Sequence, residues 1–141
     1  AFEAWREGYG VIVHTQETQW RLANLCRQLA PNDDHRRKWV MEKLAAADRL
    51  ASAAMWLVVH MTYANSIGFS GRPLAAEEFK TAPEGHTGGA LNMVPAYVGY
   101  LLANVLSGTT RGWVMGQGHC VAAIEAVNVL TGNLLPAQSQ R

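Results

Sequence analysis

Arg111-Gly112-Trp113-Val114-Met115-Gly116-Gln117-Gly118-His119-Cys120 is the stretch on which the fold turns. Its first half, 111–115, reads as a short strand. The glycine turn Gly116-Gln117-Gly118 follows, and a helix over 119–130 starts from it and ends at Gly132-Asn133. Strand, glycine turn and helix form the front half of a βα phosphate-binding element. A strand needs neighbours, because its backbone donors and acceptors must be paired. The chain offers at most one other weak strand, Val11-Ile12-Val13. The missing partners are therefore expected from another segment or another chain. The fold class expected is mostly α, with about four helices and one short strand, as a fragment of an α/β domain whose parallel sheet is completed elsewhere.

A second glycine–histidine turn, Glu84-Gly85-His86-Thr87-Gly88-Gly89, opens a helix expected over 89–106. His86 and His119 lie 33 residues apart in sequence (119 − 86). A helix N-terminus presents free N–H groups and the positive end of a dipole, and so favours anions such as phosphate. Glycines let a ligand approach the main chain. A histidine on the first turn adds a group that donates, accepts or carries a proton. Two such ends in one small region point to a phosphorylated ligand.

The 141 residues suffice for one domain with a core, and 49 % apolar residues argue against disorder. The net charge is +1. The one basic run, Arg36-Arg37-Lys38, follows Asp33-Asp34 and reads as the solvated start of a helix rather than a nucleic-acid patch. No nucleic-acid partner is expected. Cys26 and Cys120 are too few and too far apart for a zinc motif or a disulfide framework, so reduced thiols and a cytoplasmic setting are expected. The start, Ala1-Phe2-Glu3-Ala4-Trp5-Arg6, lacks the apolar length of a signal peptide. The best membrane candidate, 90–106, is interrupted by Asn92, Pro95 and Asn104 and falls short of the roughly 20 apolar residues a span needs. A buried helix and no membrane partner are expected. The chain does not begin with Met and closes on Arg141, the residue after which trypsin-like proteases cut, so a piece of a longer polypeptide is expected.

Gly8-Tyr9-Gly10 breaks any early helix. Thr15 is a candidate N-cap for a helix over Gln16–Leu29, with Trp20, Leu22, Leu25, Cys26 and Leu29 at helical spacing and Pro31-Asn32 at its end. A long helix, broken at most once, is expected from Asp33 to about Ser66. Its alanines over 44–61 let neighbours pack closely, and Trp56, Leu57, Val58, Val59 and Met61 make its end apolar all round, which implies full burial. His60 sits inside that run, where a hydrogen-bonded core histidine is the plainer role and a site role the sharper one. A connection over 68–83 holds a turn at Gly71-Arg72-Pro73 and one helical turn within 75–79. Pro95 is tolerable only near the start of its helix or as a kink.

Gly116-x-Gly118 is not a dinucleotide fingerprint, because the third glycine would fall at Val121 and no acidic ribose partner follows. There is no P-loop, no Gly-x-Ser-x-Gly elbow and no His-Glu-x-x-His. Cys120 and His119 are neighbours on a helix and point about 100° apart, so a buried thiol is the plainer role for Cys120 than a nucleophile.

The joint pattern of Gly85-His86-Thr87-Gly88, an apolar helix, and Trp113-Val114-Met115-Gly116-Gln117-Gly118-His119 resembles the N-terminal region of the thiamine-diphosphate enzymes of the transketolase superfamily. Phosphoketolases show a comparable spacing of the two histidines. Transketolases and homodimeric pyruvate dehydrogenase E1 enzymes show the same order. The resemblance covers roughly 79–132 and divides the chain into an N-terminal helical region, 1–78, and the start of a thiamine-diphosphate domain, 79–141. It implies that His119, with Gly116, Gln117 and Gly118, binds the cofactor diphosphate. It implies that His86, the catalytic candidate, faces the substrate channel with Thr87, and His60 is a further substrate-binding candidate.

Thiamine diphosphate and Mg²⁺ are the cofactors implied, with a ketose phosphate as substrate and transfer of a two-carbon ketol unit as the reaction. The superfamily holds Mg²⁺ with Gly-Asp-Gly and a downstream asparagine. This chain contains no Gly-Asp-Gly, so metal ligands are expected outside it. The glutamate that activates the aminopyrimidine lies in a later domain of the family, and sites are built between two subunits. The chain is thus expected to act only with the remainder of the enzyme, in a homodimer. Phosphoketolase or 2-oxo-acid dehydrogenase E1 chemistry is the alternative within the superfamily. Lys80, Arg72 and Arg111 are candidate substrate-phosphate ligands, with surface solvation the plainer role for each. A non-catalytic helical module, in which the Gly-His turns are only helix caps, is the alternative outside it.

Overall fold

The computed structural model describes residues 15–68 and 72–139. The break at Gly8-Tyr9-Gly10, the weak strand Val11-Ile12-Val13, and Gly71 of the expected turn lie outside the described residues. Helix α1, Gln16–Leu29, starts as expected: the Thr15 hydroxyl accepts from the Thr18 N–H at 3.3 Å. Helix α2, Asp34–Tyr63, runs unbroken for 30 residues, and its end comes three residues before Ser66. The Asp33 carboxylate caps it by accepting from the Arg36 N–H at 2.8 Å. Arg37 pairs with Asp34 at 2.8 Å and donates to the carbonyls of Ala30 and Pro31, binding the turn between α1 and α2. The Arg36 guanidinium lies 4.1 Å from the centre of the Trp39 ring and donates to Leu106 O, so part of the basic run serves the local structure.

Helix α3, Thr87–Ser107, and helix α4, Val121–Thr131, complete the core; a last turn, α5, spans Pro136–Ser139. Gly108 and Gly132, both left-handed, close α3 and α4. One face of α3 (Ala90, Val94, Tyr97, Val98) packs with Ala123, Ala126 and Val127 of α4 and with Ala51, Ala54, Leu57 and Val58 of α2. The spacing on α3, four and then three or four residues, is the helical stripe that periodicity demands. The small residues let the three helices meet closely, and Ala54, Val58, Val94, Ala123, Ala126 and Val127 are fully inaccessible. This core draws on both sides of the 78/79 division. Helix α1 is peripheral: its one fully buried side chain is Cys26, whose thiol meets Met41 Sδ at 3.1 Å.

Three expectations need correction. The segment over 111–115 is not a strand; among the described residues there is no strand and only one isolated bridge, Ala64–Phe79. The cause is the missing ladder partner, and side chains hold the segment instead. Trp113 packs on Tyr97 and Tyr100, the Tyr100 hydroxyl donates to Arg111 O, and the Arg111 N–H donates to Asn104. Val114 is left 95 % exposed. The helical part of the expected fold class stands; the completing parallel sheet is not among the described residues.

Second, α3 does not fall short of the length of a span, and it is buried along one face. With 21 residues and a mean hydropathy of 1.3 in its most apolar window, it is long and apolar enough to cross a membrane by length and composition alone. Pro95 sits at its ninth residue, and the helix continues through it. Third, the end of α2 is not fully buried, because Val59 and Tyr63 remain more than a third exposed.

Candidate functional site

The fold brings the two Gly-His turns together. Helix α4 is preceded by a single 3₁₀ turn, Gly118–Cys120, which packs against the start of α3. The His86 and His119 rings lie with centroids 5.1 Å apart and planes inclined at 59°. Both side chains are exposed, as are Gly116, Gln117 and Gly118 beside them. His86 is the N-cap residue of α3 but its side chain caps nothing, and neither the 3₁₀ turn nor α4 has a side-chain cap. The first-turn N–H groups of α3 have no intrahelical acceptor and are left for water or a ligand. At the start of α4 the Cys120 and Val121 N–H groups already donate to Gln117 O and Gly118 O, so on that side the donors are those that open the 3₁₀ turn.

Two glycines make the approach possible. Gly85 has φ +128°, a conformation L side chains rarely adopt, and it turns the chain over Thr62 of α2 into α3. Gly89 lies where a Cβ would stand 3.2 Å from Cys120 Sγ and from the His119 ring, and 3.3 Å from His119 Nε2. The imidazole edge of His119 thus rests on the first turn of α3. Nothing in the residue pattern marked Gly89 as a contact point; it read only as a helix start. Cys120 is buried and unpaired, in keeping with the plainer role.

Thr87 begins α3, and its hydroxyl meets the Tyr63 hydroxyl at 3.3 Å. Tyr63 escaped the sequence reading, although it stands one turn beyond His60 on α2. His60 itself does not join the His86–His119 pair through any ring contact. Among the described residues its one ring partner is Trp56, stacked at 3.9 Å. His60 is 8 % exposed, its Nδ1 is buried, and the imidazole forms no hydrogen bond among the described residues, so the hydrogen-bonded core histidine is not found. An unpartnered buried polar atom costs about 1–3 kcal/mol. Burial, and then the nearby Arg72 charge, push the His60 pKa below its ordinary value, while Glu78 opposes.

A strap over 72–80 folds back on the end of α2. Arg72 and Glu78 form a two-pronged ion pair, with Nη1 to Oε2 at 2.7 Å. The Arg72 guanidinium and the Ala75 N–H hold the Glu78 carboxyl down at about 2. The expected helical turn is present as Ala76–Glu78. The Lys80 ammonium donates to Met61 O at 2.7 Å, and its N–H to Tyr63 O at 2.8 Å, satisfying last-turn carbonyls of α2. Arg111 donates to Ser107 Oγ at 3.0 Å. The three cations considered for a substrate phosphate thus make contacts of their own.

A diphosphate requires clustered donors, and the uncapped starts of α3 and of the 3₁₀ turn before α4, with two imidazoles, fit that requirement. Among the described residues no group of three or more His, Cys, Asp or Glu is gathered as a metal site. Comparison with protein-family models, with curated proteins and with solved structures finds no match.

Proposed function

We propose that this chain is the N-terminal portion of a transketolase-like enzyme that transfers a two-carbon ketol unit from a ketose phosphate with thiamine diphosphate and Mg²⁺. The observation that carries the reading is the meeting of two Gly-His helix starts, 33 residues apart in sequence (119 − 86), with ring centroids 5.1 Å apart. When bound, thiamine diphosphate supplies the acidic carbon that carries the two-carbon unit; the protein supplies position and electrostatics. His119 and the Gly116-Gln117-Gly118 turn bind the diphosphate through an imidazole and first-turn amides. His86, with Thr87 beside it, faces the sugar phosphate and moves protons or binds hydroxyls. The Mg²⁺ ligands and the remaining catalytic groups come from the rest of the enzyme, in a cytoplasmic homodimer.

The test uses the complete assembly. His119→Ala is expected to weaken thiamine-diphosphate binding in calorimetric titration. His86→Ala is expected to bind the cofactor nearly as the parent does and to lose ketol transfer. Full activity with unchanged cofactor affinity in both variants overturns the proposal, and failure of the unsubstituted assembly to bind the cofactor favours a helical interaction module.

A further inference from the structure

A second concavity lies between the end of α2 and the 72–80 strap. Trp56, Val59, His60 and Tyr63 form one wall and Arg72, Pro73, Leu74 and Phe79 the other, around about 240 Å³. Val59, Tyr63 and Phe79 are 37 %, 38 % and 47 % exposed, so the slot presents bulky apolar surface to water. Small-ligand pockets have this composition: apolar and aromatic walls with a few placed polar groups. The charges at the rim offset one another, because Arg72 is engaged with Glu78.

His60 is the polar group inside. Its ring is more than nine-tenths buried and stacked on Trp56. Nδ1 is buried and has no hydrogen-bond partner among the described residues, so a proton there would be stranded. With its proton on Nε2, the neutral ring is a donor that no acceptor among the described residues engages.

From this geometry we propose that the slot between α2 and the strap binds a small, neutral, planar ring compound whose acceptor atom takes the His60 Nε2 proton. The ring lies among Val59, Tyr63 and Phe79, where it removes their exposed surface from water. A charged ligand has no unengaged counter-charge here, and a purely apolar ring leaves the imidazole unsatisfied. The Tyr63 hydroxyl meets Thr87 at the start of α3, so an occupant of the slot touches a residue that also touches the Gly-His turns. The inference does not depend on the thiamine reading, and its test uses no thiamine.

The experiment is an NMR titration of the full chain with quinoline, which has one ring acceptor, and with naphthalene, which has the same shape and none. Quinoline is expected to shift the Trp56 indole and Phe79 amide signals saturably, with naphthalene about tenfold weaker, the ratio that one net hydrogen bond confers. His60→Phe keeps the stacked ring and removes the donor, and is expected to abolish that preference. Val59→Trp, at an already exposed position, fills the slot and is expected to abolish binding of both. Absence of saturable shifts with quinoline overturns the proposal. Equal affinity for the two rings in the parent chain, or undiminished binding in folded Val59→Trp, also overturns it.

Discussion

The bodies of the helices and their beginnings follow different rules in this molecule. Where α2, α3 and α4 pack together the side chains are small or branched, apolar and sealed: Leu57, Val58, Val94 and Val127 are at most 2 % exposed. At the start of α3 and in the turn before α4, His86, Gly88, Gly118 and His119 are exposed and no side chain caps either start. The first region is what burial requires, since apolar area removed from water is the main favourable term in folding. The second serves no packing purpose that a Ser or Asp cap would not serve better. The two exposed imidazoles that meet there, with ring centroids 5.1 Å apart, form the candidate site.

That contrast breaks if the two regions answer alike to truncation. Leu57→Ala is expected to lower stability by about 2–5 kcal/mol, through lost burial and the cavity left behind. His86→Ala and His119→Ala are expected to stay within about 0.5 kcal/mol of the parent, as exposed positions do. Urea unfolding followed by circular dichroism gives all three values. A large loss in either histidine variant assigns these residues to the fold.

Activity reverses the order. On the proposed thiamine reading, His86→Ala in the complete assembly is expected to lower turnover by about 10²–10⁴-fold, the range of a lost acid–base group. His119→Ala is expected to raise the cofactor dissociation constant by about tenfold to a hundredfold, as loss of a hydrogen bond to a charged group does. Steady-state kinetics and calorimetry separate the two.

His60 sharpens the comparison, because it is a histidine in the wrong region. Its pKa is lowered in the fold, so the unfolded chain takes up a proton more readily. Stability therefore rises with pH wherever the unfolded state holds more protons. The contribution of neutral His60 is complete above its ordinary value of 6.5 and declines as pH falls from there through the lowered value. His60→Phe is expected to flatten the fall in stability below neutral pH and to leave the plateau above it nearly unchanged. Thermal unfolding across that range reads the effect, and an unaltered pH slope removes His60 from its cause.

The helices were legible because each carries its own signals. Thr15 and Asp33 cap as their side chains allow, Gly108 and Gly132 end helices, and α3 repeats Ala90, Val94, Tyr97 at the helical period. The segment over 111–115 misled because local composition cannot report the absence of a ladder partner; Trp113 and Arg111 find side-chain partners on α3 instead. The convergence of the Gly-His turns was legible as a pair of similar motifs, while its tightness was not. Gly89 looks like any helix-starting glycine until α4 is laid against it. The slot around His60 was hidden for a related reason: Arg72, Pro73, Leu74 and Phe79 reach α2 from a strap whose path no periodicity sets.

Gly89 also offers the smallest and most selective test. In Gly89→Ala the added Cβ meets Cys120 Sγ and the His119 ring at 3.2 Å, so one of them must give by a few tenths of an ångström. Cys120 is 3 % exposed and enclosed by its neighbours, whereas His119 is exposed, with solvent on its outer side. The ring is therefore the part that moves. Crowding costs on the order of 1 kcal/mol, and relief of glycine's backbone entropy in a helix returns about 0.5–1 kcal/mol, so stability is expected to change little. The His119 Cδ2–H resonance is expected to shift clearly, while the methyl signals of Leu57 stay in place. A variant in which Leu57 moves and His119 does not would mean that the histidine edge is not seated on α3, and that the two helix starts merely lie close without forming one surface.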